Sequence, residues 1–171
     1  MKGYVQVYTG NGKGKTTAAL GLTLRAAGAG LKVYIGQFLK TGTYSEIKAL
    51  ERFRDLVVVE QFGGSGFITG KPTERDIQRA QKGLKRVLEV VEGGGFNLVI
   101  LEEINVALKL NLISLDMVVE LLDKRPGNVE LVLTGRDAHA AIIERADLVT
   151  EMKAIKHYYT KGVRARTGIE K

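Results

Sequence analysis

The stretch Thr9-Gly10-Asn11-Gly12-Lys13-Gly14-Lys15-Thr16-Thr17 constrains this chain more than any other. It follows the apolar, β-branched run Tyr4 to Tyr8 and leads into Ala18 to Arg25, which reads as helix, so its glycines fall at a strand-to-helix turn. A phosphate-binding loop (P-loop) requires that context, because glycines let backbone N–H groups converge on an anion while the helix N-terminus adds partial positive charge. On this reading Gly10, Asn11, Gly12, Lys13, Gly14, Thr16 and Thr17 cradle the phosphates, Lys15 reaches the outer ones, and the Thr16 hydroxyl holds Mg2+ or Mn2+. The usual pattern G-x-x-x-x-G-K-[ST] would begin with glycine at position 9, where this chain has Thr9.

The rest of the chain alternates strand and helix. Lys32 to Leu39 and Leu56 to Phe62 read as strands two and three, and the helix between them, Thr43 to Arg54, carries Ile47, Leu50 and Phe53 at helical spacing. After a glycine-dense loop at 63–72, Thr73 is the expected N-cap of a helix with Ile77, Ala80, Leu84, Val87 and Val91 along one face. Phe96 to Leu101 gives strand four, Ser114 caps a helix running to Lys124, Pro126-Gly127 turns the chain, and Val129 to Thr134 gives strand five. A short helix follows over about Ala138 to Ala146, then a sixth strand at Leu148 to Met152 and a basic tail without periodicity.

This order predicts an α/β fold: a single-domain P-loop NTPase of the RecA-like kind, with a mostly parallel sheet of about six strands and helices on both faces. At 171 residues and 44% hydrophobic content the chain suffices for one domain over 1–171. Ligands of such sheets bind at the carboxyl ends of the strands. The phosphate loop, Gln37 to Gly42, the Phe67 loop, Glu102-Glu103 and Thr134-Gly135-Arg136 should therefore share one edge.

Composition narrows the chemistry. The absence of cysteine excludes disulfides, thiolate metal sites and a cysteine nucleophile, and two histidines leave little room for a zinc site, so oxygen ligands are expected for any metal. A net charge of +7 favours an anionic partner, which ATP, a nucleic acid or an acidic small molecule would satisfy. Apolar runs are strand-sized and no signal peptide is evident, so a cytoplasmic protein with no membrane association is expected.

Leu98 to Leu101 followed by Glu102-Glu103 resembles the acidic partner of a phosphate loop. Successive strand residues face opposite sides, so one of the two carboxylates should face the phosphates, and spacing does not say which. Arg136 suits either an anionic ligand or an ion pair with a neighbouring helix. Asp137 is the expected N-cap of the following helix, with His139 an ordinary first-turn residue and His157 a surface residue of the tail.

Several motifs in this order carry a resemblance: Gly10 to Ala18, Gln37-Phe38, Gly66-Phe67, Leu101-Glu102-Glu103, Arg125-Pro126-Gly127, Leu133 to Arg136, Ala146 to Met152, Lys156-His157 and Gly168-Ile169-Glu170. Together they resemble the phosphate-loop class of ATP:corrinoid adenosyltransferases over nearly the whole chain. The resemblance implies transfer of the 5′-deoxyadenosyl group of ATP to the Co(I) of a cob(I)yrinate or cobalamin, with release of triphosphate and with ATP reversed relative to ordinary phosphate-loop enzymes. It implies that Lys15 serves the triphosphate, that Thr16 and Glu103 hold the metal, and that Phe67 faces the corrinoid. Glu102 stands where the family commonly has aspartate, and Thr69 where it has tryptophan. A corrinoid and an electron-donating reductase or flavoprotein are the implied partners, a homodimer is left open, and no nucleic acid is expected. The alternatives are a RecA-like nucleic-acid-stimulated ATPase, for which the scattered basic residues offer no stacking platform, and a small-molecule kinase.

Overall fold

A computed structural model describes residues 1–64, 68 and 70–171. The sheet is built from β1 (Val5–Thr9), β2 (Val33–Gln37), β3 (Val57–Gln61), β4 (Leu98–Glu102), β5 (Glu130–Thr134) and β6 (Leu148–Glu151), in the order β3-β2-β4-β5-β1-β6 with every pair parallel. The helices are α1 (Lys15–Gly28), α2 (Ser45–Leu50), α3 (Glu74–Glu92), α4 (Ile104–Lys109), α5 (Leu115–Lys124) and α6 (Ala140–Arg145).

Period-two alternation divides the strand side chains between two apolar layers. Val33, Ile35, Leu98, Ile100 and Val132 pack with Ala19, Ala26 and Leu50, placing α1 and α2 on one face. Tyr34, Val99, Leu101, Leu131 and Leu133 pack with residues of α3, α4, α5 and α6 on the other. The α/β sandwich expected from the alternating pattern is therefore present, with a fully parallel sheet.

Local signals explain where the helices begin. Thr73 caps α3 in a reciprocal box, its Oγ1 accepting from the Asp76 N–H at 3.3 Å while Asp76 Oδ2 accepts from the Thr73 N–H at 3.0 Å. A cap of this kind contributes about 1 kcal/mol. Ser114 caps α5 through the Met117 N–H at 3.3 Å. Three expectations differ from the outcome. The helix read over Thr43 to Arg54 is shorter, with Ser45–Leu50 α-helical and Glu51–Phe53 a 3-10 turn. The short α4 directly after β4 was not among the helices read from the strand–helix alternation. Asp137 is not the cap of α6: it has φ +56° and its carboxylate meets Lys109 Nζ at 2.6 Å, so the cap passes to His139, whose Nδ1 accepts from the Ala141 N–H at 3.2 Å.

Candidate nucleotide site at the carboxyl edge

The phosphate loop runs from Gly10 to Gly14 between β1 and α1. Gly10 (φ +94°) and Gly14 (φ +125°) adopt backbone conformations that side chains resist, and a Cβ on Gly10 would lie 2.4 Å from the Met152 carbonyl oxygen. That close approach arises because the chain after β6 forms the outer wall of the loop. The Gly12 N–H donates to Met152 O at 2.7 Å, and Asn11 Oδ1 accepts from the Ala154 N–H at 3.1 Å.

Lys15 lies on the first turn of α1, and only 8% of it is exposed. Its Nζ donates to Gly10 O and Gly12 O, each at 2.7 Å, so the ammonium sits within the curve of the loop. Burial pulls its pKa below the ordinary 10.5, with Glu103, Arg136 and Asp137 close enough to act on it electrostatically. Thr16 is half-buried and Thr17 exposed. No side chain caps α1 and no acid occupies its first turn, so the positive helix end is directed at the loop.

Lys13 points elsewhere. Its Nζ donates to Glu170 Oε1 at 2.8 Å, Tyr158 OH at 3.1 Å and Ile169 O at 3.1 Å, which ties the loop to the end of the tail. Its backbone belongs to the loop, while its ammonium belongs to a cluster with Tyr158, Arg166 and Glu170. His157, expected only as a surface residue of the tail, is half-buried and caps the 3-10 turn Tyr158–Lys161, its Nδ1 accepting from the Tyr159 N–H at 3.2 Å.

The two carboxylates after β4 have different surroundings. Glu102 is 2% exposed and turned sideways along the sheet edge, where it accepts from Gln37 Nε2 and, at 2.6 Å, from Lys40 Nζ. Glu103 leaves the strand with φ +60°, its N–H donating to Thr134 Oγ1 at 3.1 Å. Burial, and then the charge of Glu102, raise its pKa above 4.5, while Lys40, Lys15 and Arg136 oppose the rise. Glu103 is thus the carboxylate that shares the neighbourhood of Lys15. The cause is the left-handed turn at position 103, which ends the strand alternation. Exposed Arg136, at the end of β5, joins the same electrostatic group, and among the described residues no ion pair engages it.

Sequence reasoning missed the polar row across this edge. Gln61 and Glu102 both stand in register with Gln37, Gln61 Nε2 donates to Gln37 Oε1 at 2.9 Å, and Gln37 passes the chain to Glu102. The available signal was a pair of glutamines ending two apolar strands. Phe67 and Thr69 lie outside the described residues, as do Ser65 and Gly66.

Among the described residues no three His, Cys, Asp or Glu side chains gather as a metal cage. The donors present, the Thr16 hydroxyl and the Glu103 carboxylate, are hard oxygens suited to Mg2+, which takes one or two protein oxygens and completes its shell with phosphate and water. No described helix is long and apolar enough to cross a membrane.

Comparison with known proteins bears on this site. The family model described as ATP:corrinoid adenosyltransferase BtuR/CobO/CobP matches residues 1–170. A corrinoid adenosyltransferase of Pseudomonas aeruginosa is 36% identical over 99% of this chain and 84% of its own length. The corresponding Escherichia coli K12 protein is 35% identical over 99% of this chain and 86% of its own. Among solved structures, a KaiC-like protein of Pyrococcus horikoshii superposes with a TM-score of 0.61 at 19% identity, covering 89% of this chain and 73% of that one, a likeness of fold.

Proposed function

Because the chain belongs to the ATP:corrinoid adenosyltransferase family, we propose that it transfers the 5′-deoxyadenosyl group of ATP to the Co(I) of a corrinoid. In that reaction the Co(I) electron pair forms the bond to C5′ as the C5′–O bond breaks, and the departing pair leaves on triphosphate. Co(I) is already a strong nucleophile, so the protein has two tasks: to align the reactants and to stabilise charge on the leaving group. Lys15, the loop amides other than that of Gly12, which donates to Met152 O, and the N-terminus of α1 are assigned the triphosphate, with Arg136 adding positive charge from the next strand. Thr16 and Glu103 would hold Mg2+, which when bound neutralises phosphate charge. By family resemblance Phe67 is assigned the corrinoid face. Reaching Co(I) requires an electron donor, a reductase or flavoprotein, and a cytoplasmic location in one domain over 1–171 belongs to the same reading.

The supporting observation is the convergence of Lys15, Glu103 and Arg136 at the carboxyl ends of the adjacent strands β1, β4 and β5. The test mixes the protein with ATP and chemically reduced cobalamin, follows the corrinoid spectrum and separates the phosphate products. Triphosphate is expected; ADP with a phosphorylated acceptor would establish a kinase, and ADP with phosphate an ATPase. Lys15→Ala should lose about 10²–10³ in turnover, the scale for removing one donor from a developing anion, while retaining a cooperative melt. Undiminished turnover in that variant would overturn the assignment.

A further inference from the structure

A groove of about 600 Å³ opens between the free edge of β3 and α3, away from the phosphate loop. Phe62 and Gln61 line it at the carboxyl end of β3, and Arg79, Lys82, Lys85 and Arg86 line it from α3. Its two acids, Glu60 and Glu89, both pair with Arg86, at 3.2 and 3.6 Å. Among the described residues, Arg79, Lys82 and Lys85 have no ion pair, so the groove keeps an excess of positive charge.

We propose that this groove binds oxyanion groups on the periphery of the corrinoid substrate. The assignment rests on the activity proposed above. It also agrees with the geometry: β3 lies four positions from β1 in the sheet order, roughly 19 Å at the usual strand spacing. A macrocycle with long side arms can extend along the edge from the adenosyl donor toward the groove. The row Gln61–Gln37–Glu102 covers β3, β2 and β4 on that path. The excess positive charge opposes a second copy of the chain in the same groove, since like basic surfaces repel. On a corrinoid, oxyanions have two sources: free side-chain carboxylates, as in cobyrinic acid a,c-diamide, and the phosphodiester of a nucleotide loop, as in cobalamin. Cobinamide has neither. The groove therefore sets which corrinoids bind well, preferring those with oxyanions.

The experiment measures equilibrium dissociation constants for cobyrinic acid a,c-diamide, cobalamin and cobinamide without ATP, for wild type and Lys82→Glu/Lys85→Glu. Both lysines are exposed, and the variant's fold is checked by its melt. Wild type should prefer one or both oxyanion-bearing corrinoids over cobinamide, and the double variant should shrink that preference by roughly tenfold or more. The member of the pair that loses its advantage identifies the source. If the double variant does not fold, the milder Lys82→Gln/Lys85→Gln and a salt titration of wild type measure the same preference. A preference that is absent in wild type, or indifferent to these changes, overturns the groove assignment. Adenosyl transfer by wild type in that case leaves the proposed activity standing, whereas a lysine-dependent preference without any transfer removes the activity and keeps the groove.

Discussion

Removing the ammonium of Lys40 should destabilise the protein more than removing the charge of the carboxylate it serves. Glu102 is 2% exposed, and its two oxygens accept from Lys40 and Gln37 respectively. In Lys40→Met the carboxylate stays buried with one partner. Losing one member of a buried pair costs about 3–5 kcal/mol. Because the Lys40 side chain is 20% exposed, water can replace part of the lost interaction, so a loss of about 2–3 kcal/mol is expected. In Glu102→Gln the charge disappears, but the new amide must direct its N–H groups at Gln37 or Lys40, both of which are donors. Gln37 cannot turn over to accept, since its Oε1 already accepts from Gln61, and Gln61 is fixed by paired hydrogen bonds to Gly42, each 3.0 Å. The mismatch therefore falls on Lys40, which can swing toward solvent, at a cost of about 1–2 kcal/mol. In the double variant no ammonium opposes the amide, so its loss should resemble that of Glu102→Gln alone, giving a coupling of about 2 kcal/mol. Urea unfolding of the four proteins at neutral pH, with a shared denaturant slope, measures the cycle. Losses additive within about 0.5 kcal/mol, or Glu102→Gln costing more than Lys40→Met, would refute the directional donor chain.

Glu103 should show the opposite balance between stability and activity. Its folded pKa is raised, so its contribution to stability is present below 4.5 and fades as pH rises through the raised value. Glu103→Gln should melt progressively higher than wild type over that rise while transferring more slowly and needing more Mg2+; a melting difference independent of pH would contradict this. Glu170 has the reverse sign, because Arg166, Lys13 and Tyr158 hold its carboxyl below 4.5. The tail's attachment to the loop should therefore persist above 4.5 and loosen as pH falls below it, and Glu170→Gln should lower the exchange protection of the Gly12 and Ala154 amides at neutral pH. Unchanged protection in the variant would show that the backbone contacts alone hold the tail.

The fold was legible because hydrophobic runs and helix signals agreed. Thr73 and Ser114 mark the starts of α3 and α5, and the alternation in Leu98 to Leu101 places successive side chains in the two apolar layers. The short helix α4 was not legible, since it starts from Glu103 in a left-handed conformation, with neither a polar cap nor a break after the strand. Position 137 misled for a related reason. Aspartate is a good cap in isolation, yet a tertiary pair with Lys109 on α4 takes its carboxylate, and no local rule anticipates a partner 28 positions away.

Within the site, residues whose placement is set by the backbone were the readable ones, and residues whose placement is set by a distant partner were not. Lys15 follows from the loop and the first turn of α1 alone. Lys13 sits two residues earlier in the same loop, but Glu170 and Tyr158 decide its direction, and they approach it only because β6 pairs with β1 and carries the tail past the loop. The two adjacent glutamates separate in the same way. Register places Glu102 beside Gln37, so it becomes a structural carboxylate, and the turn at Glu103 directs the next one toward Lys15. Charge on the two strand-end carboxylates is thereby divided between holding the edge together and facing the loop, and that division makes the opposite stability responses of their glutamine variants a single structural consequence.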